Sequence, residues 1–483
     1  VKRSSLGIRQ LSAHGAQPAS SRAPVWLRLA LLSVVVCATS GWQTSVPLTS
    51  IARTADKPGL LDVYRSALAD NADYQAALAR YRAAIEAKPQ ARSRLLPRLN
   101  ATASYDEIDQ SVEGEVLDGG TIDRSESFDR KNYGLTLSQP LYQREAFIGL
   151  EQADVALQQA RLALLNARSQ LAMRAATAYF GLLDARNRLA FVRAEKRAIQ
   201  QQLSQIQDRA EAGLVANADL KAAQAQYDLS AADEISAENA IEVARTQLKG
   251  LTGRAYRQLE ELPAGTTLPP LAPQEMQPWI DAALQYNTAL RRQRANTRMA
   301  DLGTDAARAG RWPRLNLVGS YRQSDQSGGI FQNEGLGGAN ENENASIGVN
   351  LSVPIFNGGL VSSRVRQATA NHDEQVALQT QQRVDTVGDT RTALLNIRKD
   401  KARVKALDKA IESATAAANA AKVGYDVGNS TSADVLSALR DQYRARRDYA
   451  LARSQYLLDL LELNQLAGQL DKQALAVIDR RLQ

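Results

Sequence analysis

Proline is absent from two long stretches of this chain, between Pro140 and Pro263 and after Pro354, and that absence constrains the fold more than any other feature. A proline inside a helix costs about 3 kcal/mol, because its ring removes a backbone donor and collides with the preceding turn. Stretches this long without one are where very long helices can run. Ala, Gln, Leu and Arg dominate them, and aromatic residues are only 5% of the chain. That mixture favours helices with close small-residue packing over a bulky core. Leu157, Leu164, Leu171, Ala178, Ala185 and Val192 recur every seven residues, a spacing that keeps one stripe facing a partner helix. The pattern runs unbroken from about Arg144 to Glu211 and predicts a helix of about 100 Å at 1.5 Å per residue. Such a length suits a rod or the wall of a tube.

The chain also repeats itself. Pro97, Arg98, Leu99 and Asn100 match Pro313, Arg314, Leu315 and Asn316 at an offset of 216, and Asn71 matches Asn287. Gly134 and Pro140 match Gly348 and Pro354 at 214; Gly213, Asp219 and Gly253 match Gly428, Asp434 and Gly468 at 215. A period this long is no solenoid but two similar halves, expected over 59–262 and 273–470. A proline-bearing linker at 263–272 lies between them, and a tail at 471–483 follows. In each half the long helix ends near a glycine, Gly213 or Gly428. A second helix starts near Asn217 to Asp219 or Ser432 to Asp434, with Asn, Ser or Asp expected as caps. These are helical hairpins with tight tips.

Between the helices the period changes to two. Leu99, Ala101, Ala103 and Tyr105 alternate with Asn100, Thr102, Ser104 and Asp106, and Tyr133, Leu135 and Leu137 with Gly134, Thr136 and Ser138. Leu315, Leu317, Gly319 and Tyr321, and then Ile347, Val349, Leu351 and Val353, repeat this in the second half. The alternation predicts four strands of about ten residues with one apolar and one polar face. The acid-rich stretch 106–130 and the Gly, Asn and Gln-rich stretch 322–345 are expected as solvent-facing loops. Such strands suit an outer-membrane barrel. Four cannot close one, and an open edge in lipid leaves backbone groups unpaired. Two copies would give eight strands, filled by side chains, and three would give twelve with room for a lumen.

The first 41 residues carry Lys2, Arg3, Arg9, Arg22 and Arg28, no acid, and an apolar run from Leu29 to Ala38. This predicts a secretory signal over 1–41, since the run is too short to cross a membrane as a helix. Without it the formal charge of +7 falls to +2, so the basic balance carries no argument for a nucleic-acid partner. Cys37 leaves with the signal, and His372 becomes the one remaining histidine, in an Ala-rich helical stretch that reads as surface. No thiol catalysis, cysteine zinc site, metal cluster or cofactor is expected, and no catalytic set is apparent.

Several motifs, in this order and with this duplication, resemble the TolC family of outer-membrane export ducts over about Leu60 to Leu470. They are the run from Leu95 to Leu99, Ala176 to Phe180, Gly213 to Ala216 with Asp219, Ala225 to Asp228, Pro354 to Gly359, and Gly424 to Gly428 followed by Asp434 to Leu436. The resemblance implies a mainly α chain with a transmembrane β part: as a homotrimer, a twelve-stranded barrel on a twelve-helix coiled-coil tube. A mixed belt would take in residues near 255–285 and the tail. It implies outer-membrane lipid, a periplasmic adaptor and an inner-membrane ABC transporter or other pump as partners. The adaptor contacts would be Gly213, Leu214, Val215, Gly428, Asn429 and Ser430.

The same resemblance implies a periplasmic gate. Tyr425 falls at the family's tyrosine, Asp219 at its acidic partner and Asp434 at the first pore aspartate. Ser430 stands where the family has arginine and Ser437 where it has a second aspartate, which implies a looser latch. Asp219 and Asp434 also sit where simple helix capping would place them. Cys37 follows three valines, a poor lipidation signal, and the tail from Asp471 to Leu482 is similar to the protein-export branch. Export of a protein cargo by a one-step (type I) system is therefore expected. Drug efflux through the same duct, or a periplasmic scaffold without a barrel, stands as the alternative.

Overall fold

The computed structural model describes residues 57–115, 121–213, 215–263, 265–328 and 340–482; the expected signal segment lies outside them. Three short helices, α1 (Leu60–Asp70), α2 (Ala72–Ile85) and α3 (Ala87–Ser93), lead into strands β1 (Arg98–Glu115) and β2 (Thr121–Gln143). Two long helices follow, α4 (Arg144–Glu211) and α5 (Asn217–Thr252). The order then recurs as α6 (Gln277–Tyr286), α7 (Thr288–Ala309), β3 (Arg314–Gln326), β4 (Asn340–Ser352), α8 (Leu360–Asp426) and α9 (Ser432–Leu466), with α10 (Lys472–Asp479) last. None of the described helices is long and apolar enough to cross a membrane.

The strands form one antiparallel sheet in the order β1-β2-β3-β4, so β1 and β4 are open edges. The register sorts the side chains. Leu99, Leu137, Gly319 and Ile347 lie in one row across all four strands, and Ala101, Leu135, Tyr321 and Ala345 in the next. The rows between them hold Asn100, Thr136, Ser320 and Ser346, then Thr102 and Gly134. Successive residues point to opposite faces, so one face is apolar and the other polar. The polar face is tied by Ser320 to Ser346 at 2.8 Å, Ser324 donating to Asn132 at 2.8 Å and Asn132 donating to Ser104 at 3.2 Å. The apolar face has no cover among the described residues: Ile347 is 76% exposed, and Leu99, Val349 and Leu351 are also exposed.

The strands are longer than the sequence suggests. Much of 106–130 and 322–345, expected as loop, is ladder: Glu107 pairs with Asp129, Glu113 with Asp123 and Gln323 with Glu343. A ladder is held by backbone hydrogen bonds, which polar side chains do not oppose. Cross-strand bonds add to it here, with Tyr105 donating to Asp129 at 2.8 Å and Tyr321 to Glu343 at 2.9 Å. Loss of apolar alternation marks the end of a buried face rather than the end of the strand.

Helix α4 begins and ends where the proline and heptad argument places it. Its stripe is less simple: Leu171 and Val192 are buried, while Leu157, Leu164, Ala178 and Ala185 are half-buried. The helix packs in turn on α7, on α1 to α3, and on α5 and α9, so the face it hides rotates along its length. The main core lies where these elements converge. Tyr179 and Phe180 of α4 pack there with Leu60 of α1, Leu248 of α5, Leu394 of α8, Tyr456 of α9 and Leu475 of α10. The connection between α5 and α6 supplies Leu259 and Leu271 to the same core.

One matched pair from the repeat acquires a physical role. Asn71 accepts the Tyr74 N–H at 3.1 Å to cap α2 and donates to the Leu251 carbonyl at the end of α5. Asn287 accepts the Ala289 and Leu290 N–H groups at 3.0 Å to cap α7 and donates to the Leu466 carbonyl at 2.9 Å. Both are buried, and each satisfies orphan groups of two helices at once. Replacing Asn287 with Ala should destabilise the fold by about 1–2 kcal/mol, read as a lower unfolding midpoint, and Asn287→Asp should recover part of it by keeping the cap.

Candidate functional site

The ends of the two helical hairpins bring most of the candidate residues together. Helix α4 ends at Glu211, and Gly213 turns the chain with φ +74° while its N–H donates to the Ala210 carbonyl at 3.0 Å. Helix α8 ends in a fuller version of the same stop. Gly428 has φ +83°, its N–H donates to Tyr425 O at 3.2 Å, and the Asn429 N–H donates to Gly424 O at 2.7 Å. This is the Schellman pattern, whose left-handed residue is best filled by glycine. Gly424 is glycine for another reason: an added Cβ would collide with the Ser430 hydroxyl. Ser430 therefore lies against the last turn of α8. Leu214 falls outside the described residues.

The helices that leave the tips start at Asn217 and Ser432 as expected, but their caps are not the Asn, Ser or Asp expected there. The N-cap of α9 is Thr431 rather than Ser432, and that of α5 is Ala216 rather than Asn217. Thr431 and Asp434 form a reciprocal capping box: the Asp434 N–H donates to Thr431 Oγ1 at 3.2 Å, and Asp434 Oδ2 accepts the Thr431 N–H at 2.8 Å and its hydroxyl at 2.7 Å. The Thr431 hydroxyl first, and then its backbone N–H, holds the Asp434 carboxyl below the usual range. Asp219 sits at the equivalent position of α5, where Ala216 offers no side-chain cap. Ser437 follows Asp434 on α9 and is half-buried.

Behind these surface acids lies a small apolar cluster shared by both hairpins. Ile199, Leu203 and Ile206 of α4 and Ala223 of α5 meet Tyr425 of α8 and Val435 and Leu436 of α9, with Val215 packed against them. The Tyr425 ring is buried in it, and its hydroxyl has no hydrogen-bond partner among the described residues. A bond from Tyr425 to Asp219 is thus not formed within the chain. The ring instead lies under a residue that sequence reasoning missed. The Arg209 guanidinium stands 4.4 Å from the ring centroid, donates to Tyr425 O at 3.3 Å and reaches Asp426 Oδ1 at 3.4 Å. One cation of α4 thereby holds the ring, a terminal carbonyl and a carboxylate of α8. A basic residue in the last turn of a helix is visible in the sequence; that it serves the other hairpin's terminus is not.

Among the described residues there is no group of three metal-ligating side chains. His372 is half-buried on α8 beside Asp373 at 3.5 Å.

Comparison with known proteins places these features in context. The outer membrane efflux protein family matches residues 63–254 and 279–469. The outer membrane protein TolC of Vibrio cholerae is 32% identical over 438 residues, covering 89% of this chain and 95% of that protein. The alkaline protease secretion protein AprF of Pseudomonas aeruginosa is 28% identical over 427 residues, covering 87% and 86%. The crystal structure of the Campylobacter jejuni CmeC outer membrane channel has the same fold, with a TM-score of 0.72 at 18% identity over 89% of this chain and 90% of that one.

The Arg209 contact makes a local prediction. It is worth about 1 kcal/mol at this half-exposed site, so Arg209→Ala should speed amide hydrogen exchange over residues 421–428 about fivefold. Tyr425→Leu should give a similar change, and the double variant should add little to either.

Proposed function

Because the chain belongs to the outer membrane efflux protein family, we propose that it is the outer-membrane duct of a one-step (type I) protein secretion system. Its broader character is plain: it is an outer-membrane channel of the TolC family. The observation that carries the duct is the sheet, which has two open edges and an uncovered apolar face in a single chain. Both demands are met at once by lipid on that face and further copies at the edges. Three copies give twelve strands, enough to leave a lumen. With α4, α5, α8 and α9 contributing four helices per chain, the same trimer has a twelve-helix tube.

Protein export is favoured over drug efflux by likeness to an alkaline protease secretion protein along 86% of that protein's length. The tail adds to this. Asp471 caps α10, and Leu475, Ile478 and Leu482 are buried in the main core, so the segment similar to the export branch is part of the belt. An adaptor would meet the tips at Gly213, Leu214, Val215, Gly428, Asn429 and Ser430, and an inner-membrane ABC transporter would feed the duct from below. Deleting the gene should abolish secretion of a protein while leaving drug tolerance unchanged. The opposite result would assign the duct to efflux.

The gate belongs to the same proposal. Asp434 from three copies makes a carboxylate ring at the narrow end, favouring cations, with Tyr425, Asp219, Ser430 and Ser437 around it. Asp434→Asn should weaken block of single-channel current by trivalent cations. Thr431→Val, which removes the capping hydroxyl but keeps the charge, should leave the block intact. Equal effects of the two variants would make Asp434 a cap alone.

A further inference from the structure

Helix α9 carries buried acid chemistry that neither the barrel nor the gate uses. Asp459 of α9 is 5% exposed and Asp400 of α8 is 1% exposed, and their carboxyl groups lie within hydrogen-bonding reach of each other. Asp400 Oδ1 is 3.4 Å from the exposed Lys399 ammonium, whereas its Oδ2 is buried and has no partner among the described residues. Asp459 Oδ1 accepts from Gln455 at 2.6 Å. Two ionised carboxylates this close in a poorly solvated place repel strongly, and one proton turns the repulsion into a hydrogen bond. Burial first, and then the bond to Asp400, pushes Asp459 up to about 6, with Glu462 acting in the same direction. Five residues before Asp459, Ser454 donates to Asp184 of α4 at 2.7 Å, and burial pushes that carboxyl up to about 6 as well. The nearby Arg453 guanidinium does not neutralise these acids, since it is turned toward the Pro263 and Thr266 carbonyls.

We propose that Asp400 and Asp459 form a buried proton-binding site in which one shared proton joins α8 to α9, and whose emptying loosens the two helices at that level. The orphaned Asp400 oxygen is the acceptor such a proton requires. The site lies 26 residues before the end of α8, about 40 Å along the helix from the tip. It stands on contacts within one chain and does not depend on what the duct carries.

The sign follows from linkage. A carboxyl whose folded pKa is raised holds its proton in the folded state after the open state has lost it. The stabilisation is complete below the ordinary carboxylate pKa and is lost as pH rises through about 6. The test is hydrogen exchange of amides in 396–403 and 455–463, measured on the full-length detergent-solubilised protein from pH 4 to 8 and corrected for intrinsic rates. Wild-type protection relative to Asp459→Asn should fall up to about tenfold per pH unit between about 4 and 6 and then level off. Asp184→Asn serves as a nearby control and should keep the Asp459-dependent fall.

Infrared spectra give a second reading should the Asp459→Asn substitution disturb packing. In the Asp184→Asn background, a protonated-carboxyl band present at pH 5 should fade by pH 8, and Asp400→Asn should shift it. Identical pH profiles for wild type and Asp459→Asn, or no carboxyl band at pH 5, would overturn the proposal. So would protection restored at pH 8 by sodium or calcium ions alone, which would make the site one for a metal cation.

Discussion

The unpaired edges of the four-stranded sheet are the constraint on which the rest depends. Backbone donors and acceptors along β1 and β4 have no partner strand in the sheet, and each such group left unsatisfied in an apolar medium costs several kcal/mol. No rearrangement of side chains removes that cost; only another strand does. The chain adds to the demand where β4 runs into α8. Whereas β2 passes directly into α4, β4 reaches α8 through a turn with Gly358 and Gly359 at positive φ. That turn leaves Ile355 94% exposed and Phe356 87% exposed. Large apolar side chains held this far out at a strand edge are placed for contact with something outside the chain.

The helices answer a different demand. Helices of 68 and 67 residues cannot keep one apolar stripe toward one partner, because their neighbours change along the way. Their burial gathers instead into a large core, a smaller one at the tips, and a third small cluster where Ile148 of α4 meets Leu302 and Ala309 of α7. The larger core gathers α1, α4, α5, α8, α9, α10 and the connection between α5 and α6, with Tyr64, Tyr179, Phe180 and Tyr456 in its interior. Burying each such ring contributes about 1.5–3 kcal/mol, and the three tyrosines also find partners: Tyr179 donates to Glu260 O at 2.7 Å, Tyr456 donates to Pro269 O at 2.6 Å, and Tyr64 accepts from Arg168 at 3.2 Å. The smaller core joins the tips and holds far fewer residues.

How much is legible in the sequence follows from how local each cause is. The limits of α4 can be read because proline exclusion and the Gly213 stop act within a few residues. Asn71 and Asn287 stand out as a matched pair, but their double bonding does not, since each reaches a helix end about 180 residues away. The outer parts of the strands read as loops because apolar alternation reports burial of a face, whereas the ladder of Glu107 and Asp129 needs only backbone groups. The cap of α9 reads one residue too late because Thr431 and Ser432 are both good caps by type; geometry alone chooses Thr431. Arg209 shows locally only as a basic residue in a last helical turn; its partners Tyr425 and Asp426 lie 216 and 217 residues on and leave no local mark.

The contrast between the two cores bears on where the duct can move. A segment that must change position without unfolding the whole has to be held by contacts whose sum is small beside the global stability. At the tips, α4 is tied to α8 by Arg209 through one ring, one carbonyl and one half-exposed carboxylate, and by the small apolar cluster of Ile199, Leu203 and Ile206 around Tyr425. Near the belt, α9 is fixed to α4 through Ser454 and Asp184 and to the α5–α6 connection through Arg453 and Tyr456, all around fully buried rings. Displacement of the α8–α9 hairpin relative to α4–α5 therefore has its lowest cost at the tip and rises steeply toward the belt. The Asp400 and Asp459 pair lies within the belt regime, since Asp459 follows Arg453, Ser454 and Tyr456 along α9 away from the tip and Asp400 follows Ile397 of the main core. In the proposal above, its shared proton adds one more tie between α8 and α9 within that zone.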